Sequence, residues 1–284
     1  MHITFVVLHY LTLEDTIECV ESIKNIKYSD YSIVIVDNGS PNKSGEILNE
    51  KYKNDNLVNV IISEENLGFA KGNNIGYRYA KENKKTDFII MVNNDTIVNQ
   101  KEFCTKLIEN YEKDRFDIAG PKIISLVDKK NQNPIKKMFF NKKQVKITII
   151  KLKILLLFNY LGFDKFIQLI YQKVKLGIKS LKKQNTTLKY EDIQLHGSCL
   201  IFSKRYINKY DGLFDKTFMY VEESILKYIS DRDGLKMKYY ENMYLYHKED
   251  SSTNAFINNN LIKRRFYYKN SINSYNILYE LMNN

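Results

Sequence analysis

At 284 residues and 44% hydrophobic content, the chain is long enough for one large α/β core or two smaller ones, and its composition is that of an ordinary globular protein. Only three prolines and eleven glycines exclude long low-complexity linkers, and three scattered cysteines (Cys19, Cys104, Cys199) with no CxxC pair read as reduced thiols rather than a disulfide framework. The net charge of +11 is concentrated: residues 129–189 hold sixteen lysines and one acid, Asp164, so the rest of the chain is net acidic and a general nucleic-acid surface is excluded.

From residue 1 to about 125, short β-rich runs alternate with amphipathic segments. Strands are expected near 2–8, 31–36, 58–62, 87–92 and 117–124, with helices near 14–27, 42–53, 69–83 and 99–113. This rhythm predicts consecutive βα units and a mostly parallel sheet. Ile17, Cys19, Val20 and Ile23 fall at helical spacing in the first helix and are expected in the core. No basic leader precedes the first strand, so an intracellular location is expected.

Residues 129–190 break the rhythm with the basic and aliphatic run Val145–Phe158 and then Phe166–Leu176. The longest uncharged run, Ile154–Phe163, is ten residues, whereas a membrane-spanning helix needs about 20. The expectation is an amphipathic helix or helical pair, lysines on one face and Leu, Ile and Phe on the other, lying on an anionic leaflet. A solvated helical insertion packed on its own domain, or a dimerisation arm, is the alternative. A second ordered block then begins at Ile193, with a helix to Tyr210, a helix within Met219–Asp231, strand-like Lys236–Tyr240 and Met243–Tyr246, and one or two helices from Ala255 to Met282.

Three polar strand exits carry chemistry. Asn93-Asn94-Asp95 follows the apolar run Phe88–Val92, and a carboxylate at a parallel strand's C-terminal tip suits Mg²⁺ or Mn²⁺ with a diphosphate. The same three residues could instead cap the helix expected from Gln100. Asp37-Asn38-Gly39-Ser40 ends the second strand, where a carboxylate or amide can accept from a base N–H or a ribose hydroxyl; taken alone it is an ordinary turn. Glu65–Gly76 brings glycines and the asparagines Asn66, Asn73 and Asn74 to a helix N-terminus, which favours phosphate but lacks a GxxxxGK[ST] loop.

In this order and spacing the three exits resemble family 2 glycosyltransferases with the GT-A fold, nearest to the rhamnosyltransferase-like members that build bacterial surface polysaccharides. The resemblance continues through Gly120-Pro121-Lys122, Gly197–Ile201, Gly212–Asp215, Phe218–Glu223 and Tyr246-His247, covering about residues 1–128 and 191–270. It implies an α/β Rossmann-like sheet flanked by helices: a nucleotide-sugar-binding half at 1–128, a basic helical insertion at 129–190, an acceptor half at 191–254 and C-terminal helices at 255–284. Donor binding is implied for Asp37, Asn38, Asn66, Gly68, Lys71, Asn74, Asn93, Asn94 and Asp95, and metal binding (Mn²⁺ or Mg²⁺) for Asp95 with His247. Glu222 and Glu223 stand where the family has Glu-Asp, so Glu223 is the implied general base; without the resemblance, an acidic first helical turn favoured by the macrodipole is the preferred reading of the pair. Asn93 departs from the family's acidic first position. His196 is structural or acceptor-facing, and Lys263-Arg264-Arg265 screens a diphosphate or lipid or is simply solvated.

The implied activity is inverting transfer from a UDP- or dTDP-sugar to a saccharide, lipid-linked at the cytoplasmic leaflet, with residues 129–190 against the anionic membrane. A catalytically silent saccharide-binding or scaffolding protein of the same fold is the alternative. A nucleotidyltransferase would need a Gly-rich basic signature after the first strand, where Leu8-His9-Tyr10-Leu11 stands.

Overall fold

A computed structural model describes residues 1–136, 141–166, 193–249 and 259–283. In chain order the strands are β1 (Ile3–His9), β2 (Tyr31–Asp37), β3 (Val58–Ile62), β4 (Phe88–Asn93), β5 (Thr96–Ile97), β6 (Ile118–Ser125), β7 (Ile135–Lys136), β8 (Ile193–Gln194), β9 (Cys199–Ser203) and β10 (Met237–His247). Eight of them form one sheet in the order β3-β2-β1-β4-β9-β6-β10-β5. β3, β2, β1 and β4 are parallel; β9 runs against both β4 and β6, β10 is parallel to β6, and β5 closes the edge antiparallel to β10. Strands that the sequence separates by the insertion thus share one sheet, with β9 between β4 and β6.

The helices are α1 (Leu13–Lys24), α2 (Ser44–Tyr52), α3 (Phe69–Asn83), α4 (Phe103–Asp114), α5 (Lys142–Tyr160), α6 (Lys204–Lys209), α7 (Glu222–Arg232) and α8 (Asn260–Leu281). Strand alternation sorts the core into two layers. Ile3, Phe5 and Val7 of β1 join Cys19, Val20 and Ile23 of α1 and Leu107 of α4 on one face. Val6 joins Val34, Val36, Tyr77 of α3 and Tyr206 of α6 on the other. The central strands are buried on both faces, which is why they read as unbroken apolar runs. Of the four positions expected in the core of α1, Ile17 is only partly buried.

Two elements differ from expectation for identifiable reasons. The two strands expected at 236–246 are one strand with a register shift between Tyr240 and Tyr244, a β-bulge. Its Asn242 is tied down by Gln100 and Asn110. That use of Gln100, with β5 just before it, delays α4 to Phe103, so Asn93-Asn94-Asp95 does not cap this helix.

β7 pairs with β8, so the insertion leaves and returns at one narrow neck. α5 packs Val145, Ile149, Leu152 and Leu155 against Ile225 of α7 and Tyr268 and Ile272 of α8, a third apolar cluster. The expected division of α5 into one lysine face and one apolar face is corrected: its apolar residues lie on two opposite faces, and only one of them is buried. The apolar stretch expected beyond Phe166, and the start of the tail at 255–258, lie outside the described residues. Among the described residues no helix is long and apolar enough to cross a membrane.

Candidate active site

The shared strand direction delivers His9, Asp37, Asn93, Ser125 and His247 to one sheet edge, and the opposed β9 brings Gly197 and Ser198 to the same edge at its start. Open α/β sheets bind ligands there. A cavity of about 730 Å³ opens over it, closed on its far side by Phe266, Tyr267, Ser271 and Tyr275 of α8.

Asp95 and His247 meet because Thr96 is in register with His247 and the Lys248 amide donates to the Asp95 carbonyl at 2.9 Å. Asp95 is 5% exposed, and its Oδ1 lies 3.2 Å from His247 Nε2. Yet Oδ1 makes no aligned hydrogen bond among the described residues. The Gln132 amide oxygen sits 2.8 Å from His247 Nδ1, so Nδ1 donates to it and Nε2 is the ring atom that faces Asp95. A carboxylate oxygen and a ring nitrogen therefore converge on one point of the cavity, a ligand pair of the kind that holds a divalent cation. Among the described residues no group of three or more His, Cys, Asp or Glu is placed to hold a metal ion.

Across the cavity, α7 starts from two successive left-handed residues, Tyr220 (φ 70°) and Val221 (φ 74°). For a β-branched side chain that conformation costs on the order of 1–3 kcal/mol, strain of the kind that gathers at functional sites. Its product is a pair of adjacent carboxyls on the cavity wall, Glu222 and Glu223. Glu222 accepts from Thr217 Oγ1 at 3.0 Å; burial first, and then the neighbouring charge of Glu223, pushes its carboxyl up to about 8. Burial also raises Glu223, opposed by a backbone hydrogen bond from Gly197. A Cβ on Gly197 would stand 2.5 Å from Glu223 Oε1, so a side chain there would push the Glu223 carboxyl aside. Beside the pair, the Ser198 amide donates to His196 Nδ1 at 3.1 Å, leaving the ring proton on Nε2. Burial lowers His196 to about 4, so this ring is a neutral donor, edge-on to His247.

At the other end, Asn38 donates to Asn66 Oδ1 at 3.0 Å and to the Gly68 carbonyl at 3.1 Å, and accepts from the Leu67 amide at 3.0 Å. Gly68 has φ +83°, and a Cβ there would meet the Phe218 carbonyl oxygen at 2.0 Å. The loop before α3 is thus fastened to the segment that leads into the Glu222-Glu223 turn.

The model of the glycosyl transferase family 2 matches residues 4–209. The chain belongs to that family. It is 35% identical over 118 residues to glycosyltransferase GlyG of Streptococcus pneumoniae serotype 4, covering 42% of this chain and 38% of GlyG, so it spans well under half of that relative's length. Its fold is that of TarS residues 1–349 from S. aureus in complex with UDP (TM-score 0.56, 15% identity, 87% of this chain and 60% of that one). It is also that of the mannosyltransferase PcManGT from Pyrobaculum calidifontis in complex with GDP-Man and Mn²⁺ (TM-score 0.54, 10% identity, 88% and 57%). The GT-A architecture expected from the strand exits is therefore present, while Glu222, Glu223, His247 and α8 lie beyond the stretch that the family model matches.

Of the residues expected in a family 2 site, Asn38, Asn66, Gly68, Asn93, Asn94, Asp95, Glu222, Glu223 and His247 line one cavity. Asn94 uses its amide nitrogen to hold Thr12 and Thr16 at the start of α1. Three of the expected donor-site residues lie outside that lining. Asp37 is sealed beneath the start of α2, bonded to Ser40 and 1% exposed, with burial raising its carboxyl; a Cβ on Gly45 would sit 2.2 Å from it. Asn74 spends its amide on the Leu213 backbone, donating at 2.7 Å and accepting at 2.8 Å. Lys71 is exposed outside the cavity lining. Arg264 pairs with Asp164, and Arg265 with Asn159 and the Tyr160 ring. Sequence reasoning missed Gln132, which orients His247, and the α8 wall; the run Phe266-Tyr267-Tyr268 was the available signal for the latter.

Proposed function

We propose that the chain is an inverting glycosyltransferase that moves a sugar from a UDP- or dTDP-sugar to a hydroxyl of a saccharide, carried on a lipid at an anionic membrane surface, in cell-surface polysaccharide synthesis. One observation carries this reading: one cavity is lined on one side by Asp95 with His247 and on the other by the adjacent carboxyls Glu222 and Glu223. The first suits a departing diphosphate and the second an attacking hydroxyl. UDP in TarS, and GDP-Man with Mn²⁺ in PcManGT, support a nucleotide-sugar donor and divalent metal use.

In the proposed reaction the acceptor oxygen forms a bond to the anomeric carbon as the bond from that carbon to the diphosphate breaks, and the acceptor proton passes to Glu223. Glu222, raised to about 8, holds its proton at neutral pH; burial raises Glu223 as well, and backbone hydrogen bonds, one of them from Gly197, oppose that rise. Asp95 and His247 would hold Mn²⁺ or Mg²⁺, which neutralises charge on the diphosphate; the imidazole favours Mn²⁺. His196 Nε2–H offers a neutral donor between the two groups. Asn38, Asn66 and Gly68 shape the nucleoside end, with Asp37 as their buried support.

The test is hydrolysis of UDP- and dTDP-sugars by purified protein with and without Mn²⁺. Metal-dependent turnover that disappears in Asp95→Ala is expected. Saccharide binding with no turnover under any donor would instead establish a silent binding module.

A further inference from the structure

We infer that the solvent-facing side of α5 docks on an anionic lipid bilayer and holds the aromatic lip of the cavity at its surface. This rests on the reading that the acceptor is carried on a lipid, and names the face that meets it. α5 already buries one apolar face in the cluster with α7 and α8. On its opposite side Ile147, Ile150, Ile154, Leu157 and Leu161 recur every three or four residues and stay 46–61% exposed. A helix packed on a domain needs one apolar stripe; a second one, in water, marks a partner that is itself apolar.

Charge identifies that partner. Lys146 and Lys153 border the stripe on one side and Lys151 on the other. The single acid of the lysine-rich region, Asp164, is fully buried, held by Arg264 and Tyr268, and so presents no negative charge to a partner. A second copy of this chain would bring two such basic faces together. An anionic leaflet instead takes the aliphatic stripe between its headgroups and the lysines against them. At 19 residues and with Lys151 and Lys153 mid-helix, α5 lies along the surface rather than crossing it.

The helix also leads to the site. In the last turn of α5, on its buried face, Asn159 donates to the Leu261 carbonyl, and Arg265 stacks over the Tyr160 ring at 4.1 Å, joining α5 to the first turns of α8. There Ile262 is 51% exposed, Tyr267 is 42% exposed on the cavity rim, and Phe218 facing Phe266 is 38% exposed. Exposed apolar side chains thus stand both along α5 and, at the α8 end it is joined to, beside the cavity mouth.

The experiment is co-sedimentation of the full chain with vesicles of mixed phosphatidylglycerol and phosphatidylcholine, against pure phosphatidylcholine. Binding at least tenfold stronger to the anionic vesicles and weakened by salt is expected. The double variant Ile150→Asp, Leu157→Asp, altered only at exposed positions, should lose it at least tenfold while keeping its melting temperature and its sugar-nucleotide hydrolysis in solution. Equal vesicle binding by variant and parent would overturn the proposal. So would a parent that ignores vesicles and sediments as a dimer that the variant dissociates. Absent hydrolysis in a chain that still binds vesicles would count against the transferase reading alone.

Discussion

The sheet edge and the helical layer above it build the two sides of one cavity by different rules. At the edge, Asp95 and His247 are placed by backbone register, through the pairing of β5 with β10, and every neighbouring strand reinforces that placement. The helical layer places Glu222 and Glu223 with two strained residues, one glycine contact and a cluster shared among α5, α7 and α8. The pair proposed to hold metal thus sits on the side fixed by backbone register, and the pair proposed to meet the acceptor on the side held by packing.

Substitutions that separate chemistry from packing sharpen this contrast. The largest effect is expected at the base: Glu223→Gln should lower kcat by about 10²–10⁴ with little change in donor KM, as steady-state kinetics would show. On the packing side, Leu152→Ala on the buried face of α5 should cost about 2–5 kcal/mol in denaturant unfolding. Asn74→Ala strips two hydrogen bonds from the buried Leu213 backbone and should cost about 1–3 kcal/mol, with activity per folded molecule kept.

Glu222 gives a pH signature. Folded, its carboxyl keeps the proton up to about 8, whereas unfolded it releases it near its ordinary value of 4.5, so folding stability falls as pH rises through that window. Glu222→Gln cannot ionise. Its melting temperature should gain on the parent between pH 4.5 and 8 and hold the gain above. The smallest effect is expected from Leu157→Ala on the exposed face of α5, within about 0.5 kcal/mol. A cost there like that of Leu152→Ala would erase the distinction between the two faces.

The same contrast explains what was legible in the sequence. The apolar runs of β1, β2 and β4 and the polar exits after them are local patterns, so the sheet and Asp95 could be read directly. Gln132 could not, because its role exists only once β10 brings His247 beside it. Asp37 and Asn74 sit in family positions, yet Gly45 seals one and Leu213 occupies the other, contacts made across 8 and 139 residues of chain. In α5, both Val145, Ile149, Leu152 and Ile147, Ile150, Ile154 satisfy helical spacing; only packing against α8 decides which set is inside.

The most direct test of the central claim is calorimetric titration of UDP and dTDP into the chain with and without Mn²⁺, repeated for Asp95→Ala. Binding of a nucleotide that requires Mn²⁺ and is lost in the variant is predicted. Metal-independent binding of equal strength in both proteins would contradict the placement of the diphosphate at Asp95 and His247.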